Sequence, residues 1–225
     1  MLKFIKNQKG EVTLIDRIAL KSMAKEQIKG NIPVLFLCLI VIGAVAAVIS
    51  LVPILGPIVV SFITPTLTLG YLTIFLNLTK GEKPKVETLF VGIPIFIKAF
   101  LVDLVMGVFV ILWTLLLIVP GVIKAISYMF APYILAENHE VGVMEALDLS
   151  KKMTEGHKKD LFILSLSFIL WVLLCMVTAG IAIVYVGPYM QATMMNAYNE
   201  LKGAVGIGVV ETMEEPAEYT DPNAN

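Results

Sequence analysis

The stretch Phe100–Glu140, FLVDLVMGVFVILWTLLLIVPGVIKAISYMFAPYILAENHE, decides the fold of this chain. Up to Ala136 it is almost wholly apolar. One straight helix of that length would measure roughly 55 Å at about 1.5 Å per residue. Because the hydrocarbon core of a bilayer is only about 30 Å thick, a single helix cannot stay inside it. The stretch must therefore fold back on itself.

Pro120 and Gly121 are the strongest helix-breaking pair within this stretch. Proline lacks the N–H that the interior of an α-helix needs, and glycine adopts turn conformations without steric cost. We predict two membrane helices, 98–119 and 121–137, which form a hairpin with its tip at Pro120-Gly121.

The whole chain has the composition of a membrane protein. Its 225 residues are 58% hydrophobic and 16% charged, whereas a soluble domain carries about 25% charged residues. Several apolar runs of about 18 or more residues favour membrane-spanning helices. The predicted fold class is therefore an all-α polytopic membrane protein.

Turn-forming residues divide the other apolar runs into two further hairpins, which gives six membrane helices. Pro53 and Gly56-Pro57 separate the first pair, and Ala179-Gly180 separates the last pair. The predicted helices outside the central hairpin are 31–52, the run after Pro57 up to Leu78, 161–178 and 181–201. The predicted domains are a basic amphipathic cytoplasmic helix in 1–30, the six-helix domain 31–202 and a disordered acidic tail, 203–225.

Basic residues mark one side of this bundle. Of the 17 Lys and Arg residues, seven precede the first helix, four lie between helices two and three, four lie between helices four and five, and Lys202 follows the sixth. Only Lys124 lies close to a turn on the opposite side. Because cytoplasmic loops are enriched in Lys and Arg, we predict a multi-pass protein of the cell membrane with both termini in the cytoplasm.

The amino-terminal segment carries a basic stripe that recurs every fourth residue: Arg17, Lys21, Lys25 and Lys29. Apolar residues lie roughly opposite on a helical wheel: Ile15, Ala19 and Met23. One interpretation is a helix that lies on an anionic membrane surface. The other is a solvated lead-in whose lysines only fix the topology.

A second amphipathic helix is predicted between helices four and five. Its inward positions follow the i, i+3, i+4, i+7 pattern: Val143, Ala146, Leu149, Ser150 and Met153. Because the segment is too short to span a bilayer, we predict that this stripe docks on the cytoplasmic ends of helices four and five, together with the amino-terminal helix.

Polar side chains within the spans are the candidate functional residues, because burying them in a bilayer is costly. Asp103 lies about one turn into helix three, where Lys98 is a candidate partner. Lys124 lies near the outer end of helix four and is predicted to extend to the lipid headgroups. Tyr128 and Glu137 lie further along the same helix.

No sequence motif predicts catalysis. The chain lacks a recognisable nucleophile motif, a phosphate-binding glycine loop and paired carboxylates on one helix face. Glu137, His139 and Glu140 have the composition of a metal cluster, but no ligand spacing recurs around the only other histidine, His157. We therefore predict no metal site, no cofactor and no nucleic-acid partner.

Short matches to a known family recur in a fixed order between Leu112 and Leu201: Ile118-Val119-Pro120-Gly121, Pro132-Tyr133-Ile134-Leu135-Ala136-Glu137-Asn138, Gly156-His157-Lys158, Leu166-Ser167-Phe168 with Trp171, and Pro188-Tyr189 with Tyr198. Through this series the sequence resembles domain-of-unknown-function family 975, a group of predicted bacterial integral membrane proteins. The family often has aspartate and proline where Glu137 and His139 stand. The resemblance implies a six-helix fold and supplies no established activity, so no catalytic residue is carried over.

Three classes of function fit the sequence to different degrees. A non-enzymatic membrane module with a membrane-protein partner, such as an adaptor, an assembly or immunity factor or an accessory subunit, fits the absence of catalytic motifs. A transporter or lipid-handling protein fits Asp103 and the prolines expected to kink helices two and six. An intramembrane enzyme fits least. We predict the first class, with the lipid bilayer as its constant partner.

Overall fold

The computed structural model of the protein describes residues 16–205. Over this range the chain forms helices and connecting turns, without a β-strand. Two short 3₁₀ turns, Val86–Phe90 and Ile93–Ile95, precede the fourth helix. The helices are α1 (Arg17–Ile28), α2 (Ile32–Ser50), α3 (Leu55–Thr79), α4 (Phe96–Leu116), α5 (Ile118–Tyr128), α6 (Ala131–Glu137), α7 (Val143–Thr154), α8 (Lys158–Leu166), α9 (Ile169–Val177) and α10 (Ile183–Val205).

Several helical segments are long and apolar enough to cross a bilayer. Within residues 16–205 there are five: Ile32–Ser50, Leu55–Thr79, Val86–Leu116, Ile118–Glu137 and Lys158–Val177. α10 has 23 residues but is not among them, since polar side chains occupy its second half. The prediction of an all-helical chain with several membrane-spanning segments is confirmed. α10 also continues to Val205, past the predicted domain boundary at 202, and the rest of the predicted acidic tail lies outside the described residues.

α4 and α5 pack against each other, but the turn between them is not at Pro120-Gly121 as predicted. α4 ends at Leu116, and Leu117 alone is extended, with φ −161° and ψ 140°. Pro120 lies in the first turn of α5. Backbone N–H groups there have no intrahelical partner, so the missing N–H of proline costs no hydrogen bond. Gly121 instead allows close packing, since a Cβ there would lie 2.1 Å from Thr114 Oγ1. The proline therefore begins a helix instead of ending one.

The fourth predicted helix is two helices, with a break after Tyr128. Pro132, near the start of α6, has no N–H to donate to the Tyr128 carbonyl. Ser150 of α7 bonds to the backbone at this break: its Oγ donates to the Ser127 carbonyl over 2.8 Å and accepts from the Phe130 N–H over 3.1 Å. A side chain from another helix thus satisfies backbone groups that the break leaves open.

The fifth predicted helix, 161–178, is also divided, by a turn at Ser167 and Phe168 that separates α8 from α9. The Ser167 N–H still donates to carbonyls of α8, over 3.0 Å to Ile163 and 3.2 Å to Leu164. The apolar run is therefore continuous in sequence but not as one helix.

Two helix breaks lie at a similar distance from one end of the bundle. The end at which α2, α4 and α9 terminate, hereafter the tip end, includes Leu117 and Thr178. Ser167 lies roughly 16 Å along α9 from Thr178. Ser127, whose carbonyl accepts from Thr154 of α7, lies roughly 15 Å along α5 from Leu117. The breaks at Tyr128 and Ser167 are therefore both about 15 Å from the tip end.

α7 confirms the second amphipathic helix. It packs against α5 and α6, which together form the fourth predicted helix, and also against α4 and α10. Its buried side chains are Ala146, Leu147, Ser150, Met153 and Thr154. Leu149, predicted to be in the stripe, is only half-buried. The buried face is thus rotated slightly, and α4 and α10 supply contacts that were expected from the amino-terminal helix.

α1 also forms, but its apolar face differs from the predicted one. The buried stripe, which packs against α10, consists of Leu20, Ala24 and Ile28. Met23, predicted to be on the apolar face, is 43% exposed, and Ala19 is half-buried. Ile15 lies outside the described residues. α1 therefore docks on the bundle through a face one position away from the expected one.

The two polar helices make the molecule asymmetric. On one side, α2 and α4 expose large apolar side chains along most of their lengths, from Leu37 to Leu51 and from Phe96 to Leu116. On the other side, α1 and α7 cover the parts of α5, α6 and α10 that are far from the tip end. There the exposed large apolar side chains lie mainly on α5 and α9, with a few on α8.

We predict that Gly121→Ala lowers the thermal stability of the protein in detergent. The added methyl would overlap Thr114, and overpacking costs about 1–3 kcal/mol. Gly107→Ala is the matched control, because a Cβ at this helical glycine of α4 has nothing within 4 Å and alanine favours a helix by roughly 0.5–1 kcal/mol. Equal melting temperatures for the two variants would contradict the close approach of α5 to α4.

Candidate functional site

The second half of α10 carries polar side chains that bond to other helices. Gln191 Nε2 donates to the Tyr133 hydroxyl of α6 over 3.0 Å. Asn199 Nδ2 donates to Thr79 Oγ1, at the end of α3, over 3.1 Å. α10 is therefore attached to α6 and α3 through side-chain amides in an otherwise apolar interior.

Asn196 attaches α10 to α1. Gln27 Nε2 donates to Asn196 Oδ1 over 2.9 Å, and Asn196 Nδ2 donates to Gln27 Oε1 over 3.1 Å. Asn196 Nδ2 also donates to the Leu20 carbonyl over 3.3 Å. Because Asn196 is only 5% exposed, leaving its amide unpaired would cost about 1–3 kcal/mol. This reciprocal pair explains why a polar amino-terminal helix is held against the bundle.

Glu137, a predicted site residue, lies at the end of α6 and also bonds to α10. Its Oε1 forms a salt bridge with Lys202 Nζ at 2.5 Å, and its Oε2 accepts from the Tyr198 hydroxyl over 2.6 Å. The side chains of Glu137 and Lys202 are 22% and 18% exposed, so the pair is partly shielded from solvent. It is the one salt bridge within residues 16–205. Both carboxylate oxygens are occupied, which makes Glu137 a link between helices.

Lys124 and Tyr128, two further predicted site residues, lie one turn apart on α5. Lys124 Nζ lies 5.0 Å from the ring centroid of Trp113 and 5.7 Å from that of Tyr128. Tyr128 is 8% exposed and its ring centroid lies 5.9 Å from that of Phe109. Cation–π contacts of this kind contribute about 0.5–2 kcal/mol. The protein's own rings hold the ammonium, and its contact with headgroups stays a prediction.

Asp103 forms no salt bridge with Lys98, its proposed partner, among the described residues. Lys98 Nζ instead donates to the carbonyls of His139 and Glu140, over 2.8 and 3.3 Å, and so ties α4 to the loop after α6. Asp103 has no hydrogen bond to another residue in the range 16–205. It lines an open groove of about 550 Å³, together with three hydroxyl side chains: Ser50, Ser61 and Thr64.

The basic stripe of α1 faces the junction of α8 with α9 and the middle of α10. Lys21 Nζ donates to Ser167 Oγ over 2.6 Å. Lys25 Nζ lies 5.9 Å from the ring centroid of Tyr189. The other two members of the stripe are half-buried and exposed, respectively: Arg17 and Lys29. The stripe is therefore partly engaged with the protein itself.

These arrangements connect helices and leave few polar groups free inside the bundle. Within residues 16–205, no group of three or more His, Cys, Asp or Glu side chains is placed to hold a metal ion. In the same range, the Tyr71 hydroxyl is the one fully buried side-chain polar atom without a hydrogen-bond partner. The buried polar side chains thus act mainly as cross-links.

The fold and these cross-links define a multi-pass α-helical membrane protein. Residues 14–131 and 114–204 match the family described as "Protein of unknown function (DUF975)". The chain belongs to this family, which confirms the resemblance drawn from the sequence. No match was found among curated proteins or among solved structures.

Sequence reasoning identified Glu137 but missed the amide side chains of α10 that bond to other helices. A signal was present, because Gln191, Asn196 and Asn199 place three amides on one half of a helix flanked by apolar residues. Such side chains need bonding partners inside a bundle. Gln27 carried no comparable signal, since α1 is polar on most of its surface.

We predict that Glu137→Gln and Lys202→Met each lower the free energy of unfolding by about 1–3 kcal/mol, because each leaves a partly buried group without its charged partner. The double variant should lose less than the sum of the single losses, since the second change removes the group left unpaired. Unfolding of the four proteins in one detergent, followed by circular dichroism, measures this coupling. Strictly additive losses would mean that the two charges do not interact.

Proposed function

We propose that this protein is a non-enzymatic module of the bacterial inner membrane, which crosses the bilayer six times and has both termini in the cytoplasm. It acts by binding another membrane protein, as an accessory or assembly factor. The observation that carries this proposal is that the buried polar side chains bond to one another across helices. They hold a rigid scaffold together and do not converge on an open site.

The polar groups best suited to act on a substrate are already bonded to other residues of the protein, which argues for a scaffold. A general acid or base must reach a substrate with a free oxygen or nitrogen. Glu137 has one oxygen bonded to Tyr198 and the other to Lys202. Asn196 is bonded to Gln27 and to the backbone of α1. Fully bonded networks of this kind rigidify a fold.

The distribution of charge supports the proposed orientation. The connection between α3 and α4 carries Lys80, Lys83 and Lys85. Lys202 lies near the end of α10, at the same end of the bundle. The turns at the tip end, 51–54, Leu117 and 178–182, carry no Lys or Arg. This asymmetry favours a cytoplasmic location for the end that carries the longer loops.

α10 supplies the sixth crossing in this proposal. Its polar side chains lower its mean hydropathy, but they bond to α1, α3 and α6. Polar groups that face partners inside a bundle are tolerated at membrane depth.

A specific observation favours a second function, the handling of a lipid or solute. The groove beside Asp103 is open and contains three hydroxyl groups in an apolar surround, and carboxylates within membrane bundles often mark ligand or ion pathways. In this alternative, Asp103 contacts the transported species.

One preparation distinguishes the two functions. We predict that the full-length protein, isolated at native abundance in mild detergent, co-purifies with a second membrane protein in fixed ratio. Asp103→Asn should leave that ratio unchanged, because Asp103 cross-links no helices. A protein that purifies alone, and whose Asp103→Asn variant changes flux across reconstituted vesicles, would favour the second function and contradict the first.

A further inference from the structure

Three cations of α1 lie together beside the junction of α8 with α9. Arg17, Lys21 and Lys25 are spaced four residues apart and so share one face of the helix. Burial lowers the pKa of Lys21, and the neighbouring charges of Arg17 and Lys25 lower it further. The three positive charges are therefore close enough to repel one another, and Lys21 is partly withdrawn from water.

No carboxylate within residues 16–205 forms a salt bridge with this cluster. The adjacent acidic residue, Asp16, uses Oδ1 to cap α1 and accepts from the N–H groups of Ile18 and Ala19. Lys202, by contrast, is neutralised by Glu137. The cluster therefore differs from Lys202, a half-buried cation that has a counter-charge.

Protein contacts hold two of the three cations, Lys21 and Lys25, in place. Lys21 Nζ bonds to Ser167 Oγ and lies 4.9 Å from the ring centroid of Phe168. An ammonium group has three N–H donors, so two remain for a ligand. Lys25 Nζ is held near the ring of Tyr189. The site is thus pre-organised to bind an anion.

Aromatic rings and a bare apolar helix adjoin the cations. Trp171 lies 6.2 Å from Tyr185 and 5.6 Å from Tyr189 between ring centroids, and such rings favour the headgroup level of a bilayer. Beyond them α9 exposes Leu170 at 72% and Met176 at 74%. α9 has nine residues and measures roughly 14 Å.

We propose that this junction binds the headgroup of an anionic phospholipid, with its phosphate at Arg17, Lys21 and Lys25 and its acyl chains along α9. Phosphate oxygens form strong charge-assisted hydrogen bonds with ammonium groups, and the guanidinium fork binds two of them at once. A free phosphate would meet the same cations but would leave the apolar surface of α9 unused. The lipid fits the combination of a cationic cluster and an exposed apolar helix.

Trp171 provides a direct readout. In a full-length Trp113→Phe variant it is the one remaining tryptophan, and brominated acyl chains quench tryptophans that they contact. In reconstituted vesicles, brominated phosphatidylglycerol should quench Trp171 at lower mole fraction than brominated phosphatidylcholine does. Arg17→Gln and Lys21→Gln should each lower this preference about fivefold. Equal quenching by the two lipids would overturn the proposal.

Matched variants separate charge recognition from a folding defect. Lys21→Arg keeps the charge and should retain the preference. Lys151→Gln with Lys152→Gln, on the exposed face of α7, should also retain it. Loss of the preference in this control, or its complete removal by inorganic phosphate at constant ionic strength, would overturn the proposal. A preference that appears only after the carboxyl-terminal glutamates are replaced by glutamine would mean that they occupy the cations instead: Glu211, Glu214, Glu215 and Glu218.

Discussion

The hydrogen bonds of α10 are the contacts on which the rest of the fold depends. In a bilayer, a polar group without a partner costs several kcal/mol, so each amide on a membrane helix dictates what packs beside it. Gln191 and Tyr198 require α6, Asn199 requires α3, and Asn196 requires α1. These bonds explain how the least apolar long helix takes a central position. They also explain why α1 packs against the side of the bundle although most of its surface is polar.

The packing of α1 and α7 against the bundle sets the shape of the molecule. α1 and α7 lie beside the bundle and bring charged residues to the level of the breaks at Tyr128 and Ser167, roughly 15 Å from the tip end. α2 and α4, on the other side, present apolar side chains over the full depth of a bilayer. The proposed phospholipid site lies where α1 meets the exposed apolar surface of α9.

The fold class was predictable from the sequence because it depends on apolar runs and their lengths. The helix breaks were less predictable because they depend on tertiary contacts. Pro120 is compatible with the end of one helix or the first turn of the next, and the packing of Gly121 on Thr114 accompanies the second arrangement. The break after Tyr128 is bonded by Ser150, a residue distant in sequence. In α1, the stripe predicted to be apolar and the stripe that is buried lie one position apart, and both repeat every four residues. Spacing alone therefore did not identify the buried stripe.

The central claim is that polar helices cover one side of the bundle to half its depth. Lys152 and Val108 test it directly, because both lie roughly 15 Å from the tip end, on α7 and on the apolar face of α4 respectively. Single cysteines at these positions, in a chain without Cys38 and Cys175, can be exposed to an impermeant thiol reagent in inside-out vesicles. The account predicts rapid labelling of Lys152→Cys and none of Val108→Cys. Protection of both, or labelling of both, would contradict it.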